Sequence, residues 1–369
     1  MKVVTVVGTR PEIIRLSRVI ARLDESFEHV LVHTGQNWDH QLNGVFFEEM
    51  GVRAPDHLLN VDTSSLGTVL GDTLRKIESV LRAEAPDAFL VLGDTNSAIS
   101  AIMAKRLRIP VFHMEAGNRS FDENVPEETN RRLVDHVADF NLVYSEHARR
   151  NLLSEGIHPR RIMHTGSPMR EVLDFYRGRI EASDVLSRLE LREHEYFVVS
   201  AHREENVDSR VRLQALLDCL AAVRDEFRLP VVVSTHPRTR RRLEALNGIM
   251  SLEGIDFHEP FGFMDYNHLQ LRARCVLSDS GTISEESSIL RFPAVTLRSS
   301  IERPEALDTG AIIAVDLDSE TVIAGINAAV DDQWATATPR DYDVPDCSIR
   351  VRNYILSTAR QHRVWAGLR

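Results

Sequence analysis

The chain has 369 residues, 43% of them hydrophobic and 27% charged, with a formal net charge of −11 at pH 7. That length exceeds the roughly 250–300 residues that one core sustains, and the composition excludes wholesale disorder and a fibrous protein, so two domains are expected. The acidic balance argues against general nucleic-acid binding, which rests on clustered Lys and Arg, so any anionic ligand needs a local basic site.

Cys219, Cys275 and Cys347 are scattered, odd in number and without a CxxC, which fits a reducing compartment better than a disulfide framework. The opening MKVVTVVG lacks a secretory apolar stretch, and no later run approaches the ~20 apolar residues of a membrane span. A cytoplasmic protein without membrane contact is expected.

Short β-branched, apolar runs recur at Lys2–Val7, Val30–His33, Ala88–Leu92, Pro110–Met114, Asn141–Tyr144 and Ile162–Thr165. Helical patterns such as Pro11–Leu23, Ser97–Arg106 and Arg131–Ala138 separate them. Strands alternating with helices imply a parallel sheet. After Pro168 a polar stretch of helical periodicity reaches about Glu195, and a second series follows at Tyr196–Ser200, Pro230–Ser234, Ile255–His258, Cys275–Ser278 and Ala294–Thr296. The expected division is residues 1–168 with a terminal helix over 348–369, and residues 169–347. No strand is followed by G-x-G-x-x-G and no P-loop occurs, which weakens a dehydrogenase reading.

The polar motifs fall at strand ends. Gly8-Thr9-Arg10-Pro11-Glu12 turns the first strand into the first helix, where Arg10 points toward the crevice in which open α/β sheets bind ligands. Arg15, one turn on, faces the same ligand or water. In Gly93-Asp94-Thr95-Asn96 the acid Asp94 reads as an N-cap or as a catalytic carboxylate. In His113-Met114-Glu115-Ala116-Gly117 an acid at a strand's end serves no packing purpose, so Glu115 is the better candidate. Glu127 and Glu128 open a helix and suit its dipole, and Arg131 is spaced to orient Glu127 or bind phosphate.

In the second half, His202-Arg203 follows a strand and suits an anion or proton transfer, with a plain surface histidine as the alternative. His236 follows the next strand and is weaker alone. Ser278-Asp279-Ser280-Gly281-Thr282-Ile283-Ser284-Glu285-Glu286 opens a helix with small residues, an arrangement whose N–H groups hold a diphosphate while Glu285 accepts from ribose hydroxyls. No cluster has metal-ligand spacing and no nucleophile turn occurs, so neither a metal nor a cofactor is expected.

Taken together, GTRPE, GDT, HMEAGNRSFDENVPEETNR, SAHREEN, DSGTISEE and Glu302-Arg303-Pro304-Glu305 resemble the non-hydrolysing UDP-N-acetylglucosamine 2-epimerases over nearly the whole chain. The resemblance implies a GT-B-like α/β fold, two Rossmann-like domains with parallel sheets facing a central cleft, and a terminal helix returning to the first domain. It implies a UDP-linked 2-acetamido sugar as substrate and a homodimer. Asp94, Glu115 and Glu127 resemble the family's catalytic acids and His202 its active-site histidine. Arg10, Ser280, Gly281, Thr282, Glu285 and Arg303 match positions that serve the UDP portion, with the base stacking near Tyr266. Arg15, Arg131, Arg203 and His236 complete the candidate binding set.

The chain departs from the family pattern in carrying Arg15 for lysine, Thr282 for a second glycine and Asn37 for a histidine, the last in a segment tied to allosteric substrate binding. GNRSFDENVPEETNR and Tyr342-Asp343-Val344-Pro345 resemble a subgroup that converts UDP-2-acetamido-2,6-dideoxy-L-talose to UDP-N-acetyl-L-fucosamine for surface polysaccharide synthesis. The competing expectations are a general UDP-N-acetylglucosamine epimerase, a GT-B glycosyltransferase and a non-catalytic nucleotide-sugar sensor.

Overall fold

The structure is a computed structural model that describes residues 1–35, 47–245, 253–298, 302–331 and 337–368. Asn37 lies outside them. The chain divides into two compact units, Met1–Asp174 with Asp341–Arg369, and Phe175–Arg340.

The first unit is built on a parallel sheet, seven-stranded among the described residues: β1 (Lys2–Val7), β2 (Glu28–His33), β3 (His57–Leu58), β4 (Ala88–Leu92), β5 (Val111–Met114), β6 (Phe140–Val143) and β7 (Ile162–His164), in the spatial order 3-2-1-4-5-6-7. Val3, Val4, Val6 and Val7 are all fully buried, as is Thr5 between them, so the strand is covered on both faces. Val4 sits opposite Val30 on one side and Phe89 on the other, which fixes β1 at the centre.

The helix Arg10–Ser26 starts with Pro11 in its first turn and buries Ile13, Leu16, Val19, Ile20 and Leu23, a stripe three and four residues apart. The helix Cys347–Thr358 packs against it, so the carboxy-terminal segment completes the first unit. That segment is not one helix over 348–369, because a turn after Thr358 separates Cys347–Thr358 from His362–Trp365. The expected helix over Ser97–Arg106 likewise begins as a 3-10 turn, Asn96–Ser100, before Ala101–Arg106.

The second unit repeats the plan with β8 (Phe197–Ser200), β9 (Val231–Ser234), β10 (Ile255–His258), β11 (Cys275–Ser278), β12 (Ala294–Leu297) and β13 (Ile313–Val315), ordered 10-9-8-11-12-13 among the described residues. Its core gathers Phe197, Val199, Val231, Val233, Leu277 and Val295 from the sheet with Leu213, Leu217 and Leu220 from the helix Arg210–Phe227. Strands β3 and β13 carry no expectation from sequence, since two or three residues cannot display a period.

In each sheet the order reverses beside the unit's first strand, between β1 and β4 in one and between β8 and β11 in the other. A crevice opens there at the carboxyl ends of the strands, because successive crossover connections diverge to opposite sides. Together the units make a GT-B-like α/β fold.

Candidate active site

In the first unit the polar motifs converge on the β1/β4 reversal. Arg10, half-buried, begins the helix after β1. Arg15, which sequence left facing ligand or water, does not face water: it is 3% exposed and its Nη1 donates to Glu115 Oε2 at 2.5 Å. Glu115 follows β5 with φ of 63°, the left-handed region that costs a non-glycine residue on the order of 1–3 kcal/mol and is found preferentially at functional sites. Its carboxylate lies over the neighbouring turn, since a Cβ placed on Gly93 would stand 3.8 Å from Glu115 Oε2.

A buried charged chain holds this strained segment. His113 presents Nε2 to the Gly93 carbonyl at 2.8 Å and Nδ1 to Asp135 Oδ1 at 2.9 Å. Asp135 also accepts from the Gly117 N–H at 3.1 Å and from Arg119 Nη1 at 2.7 Å, and Arg119 Nη2 reaches Glu155 at 2.7 Å. Burial alone would raise the Asp135 carboxyl, but His113 and Arg119 together hold it below its ordinary range. Gly117, with φ of +82°, admits no side chain, because a Cβ would meet the Ala148 carbonyl oxygen at 2.3 Å.

Asp94 does not cap the helix that follows; Thr95 stands at that position, without a side-chain cap. The Asp94 carboxylate accepts from Arg131 Nη2 at 2.5 Å and Nε at 3.1 Å. Arg131 Nη1 also donates to Glu128 Oε2 at 2.7 Å, so this arginine orients carboxylates. Burial works to raise Glu128, yet the Ser120 N–H, Arg131 and Arg132 outweigh it and hold the carboxyl low. Glu127 is exposed in the first turn of the helix Pro126–Val137, beside the buried Glu128.

Glu12, given no role by the sequence although it stands inside GTRPE, is a buried acceptor in the turn after β1. It is 1% exposed and accepts from the Gly8 N–H at 2.9 Å, Thr9 Oγ1 at 2.8 Å and the Ser97 hydroxyl.

In the second unit, His202 and Arg203 follow β8. Asp279, fully buried after β11, accepts from the His202 and Arg203 N–H groups, each at 3.0 Å, and from Asn206 Nδ2 at 3.0 Å. The His202 side chain is 42% exposed, with Nδ1 3.3 Å from Asp279 Oδ1, and its ring lies 6.1 Å from that of His236. His236 itself caps the helix Pro237–Glu244 by accepting from the Arg238 N–H at 3.2 Å.

Ser280, Gly281 and Thr282 form the turn into the helix Ile283–Leu290, with the two hydroxyls 3.0 Å apart. Arg303 donates to the Gly281 carbonyl at 2.9 Å and to the fully buried Glu285. Arg203 Nη2 lies 3.0 Å from Glu302. Tyr266, half-buried on the helix Phe263–Arg272, turns its hydroxyl to the Ser200 and Gln270 side chains. Among the described residues no group of three or more His, Cys, Asp or Glu can hold a metal ion, and no helix is long and apolar enough to cross a membrane.

The family profile described as UDP-N-acetylglucosamine 2-epimerase matches residues 21–356. A structure of UDP-N-acetylglucosamine 2-epimerase from Rickettsia bellii superimposes with a TM-score of 0.92 at 43% identity, covering 99% of each chain. The Methanocaldococcus jannaschii UDP-GlcNAc 2-epimerase in complex with UDP-GlcNAc and UDP gives 0.91 at 33% identity, over 97% of this chain and 100% of that one. The UDP-2,3-diacetamido-2,3-dideoxy-D-glucuronate 2-epimerase of Pseudomonas aeruginosa is 34% identical over 329 residues, 88% of this chain and 90% of the relative.

Proposed function

This chain belongs to the UDP-N-acetylglucosamine 2-epimerase family, and from that premise we propose that it inverts C2 of a UDP-linked 2-acetamido sugar by eliminating and re-adding UDP. The observation that supports this chemistry is the pair of carboxylates at the ends of adjacent strands, Asp94 and Glu115, each gripped by its own arginine at 2.5 Å.

The C2 proton of such a sugar is not activated by a ring carbonyl, so direct removal and return face a high barrier. Elimination avoids it. UDP departs from C1 with the bonding electron pair while a base takes the C2 proton, leaving a C1=C2 double bond in a 2-acetamidoglycal. UDP then re-adds to C1 as a proton arrives on the opposite face of C2. The cycle needs acid and base groups on both faces and a preorganised positive site for the leaving diphosphate.

Asp94, Glu115 and Glu127 share the proton transfers in this reading, with Arg15 and Arg131 fixing two of the carboxylates. Arg10, Arg203, His202, His236 and the Ser280–Thr282 turn serve the UDP portion, with Glu285 and Arg303 at the ribose and Tyr266 beside the base. Backbone N–H groups at the start of the helix Ile283–Leu290 suit a phosphate for the reason any helix start does.

The substrate we assign is UDP-2-acetamido-2,6-dideoxy-L-talose, converted to UDP-N-acetyl-L-fucosamine; the wording GNRSFDENVPEETNR and the Tyr342–Pro345 segment support it. A second reading, UDP-N-acetylglucosamine, is favoured by the name of the 43% identical Rickettsia protein. Incubation of the protein in deuterated water with each sugar nucleotide, following C2 by NMR, decides. Epimer formation with deuterium at C2 on the talose substrate alone supports the assignment. Exchange only on UDP-N-acetylglucosamine selects the second reading, and no exchange on either overturns the epimerase reading of this chain.

A further inference from the structure

Three carboxylates are assigned to proton transfer, and a fourth, more deeply buried than Glu115, lies at the β1/β4 reversal. Glu12 stands in the first turn of the helix after β1, 1% exposed, and touches no other acid in its contacts with Gly8, Thr9 and Ser97. Its two oxygens divide their work. Oε2 accepts from the Gly8 N–H at 2.9 Å and the Thr9 hydroxyl at 2.8 Å, closing the turn that ends in Arg10. Oε1 accepts from the hydroxyl of Ser97, 85 residues away in sequence, in the 3-10 turn that follows Asp94.

The Ser97 link continues toward Asp94. Ser97 Oγ lies 2.6 Å from Thr95 Oγ1, and Thr95 is the residue after Asp94. The carboxyl group of Glu12 is therefore the shared anchor of the turn after β1 and the turn after β4. We propose that Glu12 is a positioning residue: it sets the Asp94 turn against the Arg10 turn, so that the Asp94 carboxylate and the Arg10 guanidinium are held in register at the carboxyl ends of β1 and β4. A carboxyl group in so buried a place loses its hydration, and burial pushes it up to about 7 despite the opposing hydrogen bonds from Ser97, Thr9, Gly8 and Thr95. An apolar residue in the same space would leave the Gly8 N–H and the Thr9 and Ser97 hydroxyls without this acceptor, which would release the two turns from each other.

The inference rests on the epimerase reading for its kinetic arm and on geometry alone for its second arm. Three proteins are compared: wild type, Glu12→Ala and Glu12→Gln, the last keeping shape and one acceptor oxygen. Turnover is read as C2 deuterium incorporation, and backbone hydrogen exchange is read by mass spectrometry on peptides covering 8–12 and 93–101. The expected result is a kcat fall of 10-fold or more in Glu12→Ala with KM within about 2-fold, partial recovery in Glu12→Gln, and faster exchange confined to those two peptides. Ser97→Ala should reproduce the kcat fall, and combining it with Glu12→Ala should add little, because both remove one link.

Unchanged exchange in both peptides of a folded Glu12→Ala overturns the proposal whatever the turnover does. Unchanged kcat in an active background also overturns it, as does a loss spread evenly over the whole molecule, which marks a general stability role. If wild type itself shows no C2 exchange, the epimerase reading fails while the exchange arm still decides whether Glu12 ties the two turns.

Discussion

Arg15 Nη1 and Glu115 Oε2 meet at 2.5 Å with both side chains nearly removed from solvent, joining the helix after β1 to the strained residue after β5. Breaking a buried pair from one side leaves an uncompensated charge, at a cost of roughly 3–5 kcal/mol. Arg15→Ala should therefore lower the unfolding midpoint as well as turnover. Arg15→Lys keeps a cation on the same helix face and should retain most of both. Thermal unfolding and C2 exchange on the two variants check this, and equal losses in both would deny the pair its orienting role.

Replacing Asp94, Glu115 and Glu127 one at a time by the matching amide keeps shape while abolishing the proton transfer proposed for each, and each should cost 10²-fold or more in kcat. Asp94→Asn also strips Arg131 of a charged partner, leaving it on Glu128. Circular dichroism of each variant should match wild type. Near-normal turnover in all of them would discard the assignment.

Gly117→Ala tests the backbone beneath Glu115. The added methyl meets the Ala148 carbonyl oxygen at 2.3 Å, and φ of +82° is unfavourable for any side chain. A destabilisation of about 2 kcal/mol or more is expected from strain and overlap together. A urea titration reads it as a shifted midpoint at constant slope.

Glu12 gives stability a pH dependence of definite sign. Its folded-state value of about 7 lies above the ordinary 4.5, so between these limits the folded chain keeps a proton that the unfolded chain has released. The associated stability is fully present below 4.5 and is lost as pH rises through about 7, a change of about 3 kcal/mol in full. Glu12→Gln cannot ionise. Its stability relative to wild type should rise from pH 5 to pH 8, measured as paired urea midpoints, and a flat difference would show that Glu12 does not titrate in that window.

In the second unit, Arg303 links the Gly281 carbonyl and Glu285. Arg303→Ala should weaken UDP binding by 10-fold or more in calorimetry, because the turn into the helix Ile283–Leu290 loses its clamp. Unaltered UDP affinity in the folded variant would remove this turn from the UDP site.

The sequence by itself determined the alternating strand and helix rhythm, since parallel strands buried on both faces are predominantly apolar and β-branched, as at Val3, Val4, Thr5, Val6 and Val7. It also placed Arg10, Asp94, Glu115 and His202 at strand ends, because a polar run directly after an apolar one marks that junction. What it could not determine was which partner each charge takes. Arg15 lies 100 residues from Glu115, Asp94 lies 37 from Arg131, and Glu12 lies 85 from Ser97. Only the order 3-2-1-4-5-6-7 brings the ends of β1, β4 and β5 side by side. Local propensity acts over a few residues, whereas these pairings follow from strand order. The tertiary structure therefore turned Arg15 inward, gave Arg131 to two carboxylates, and made the glutamate of GTRPE an anchor between turns.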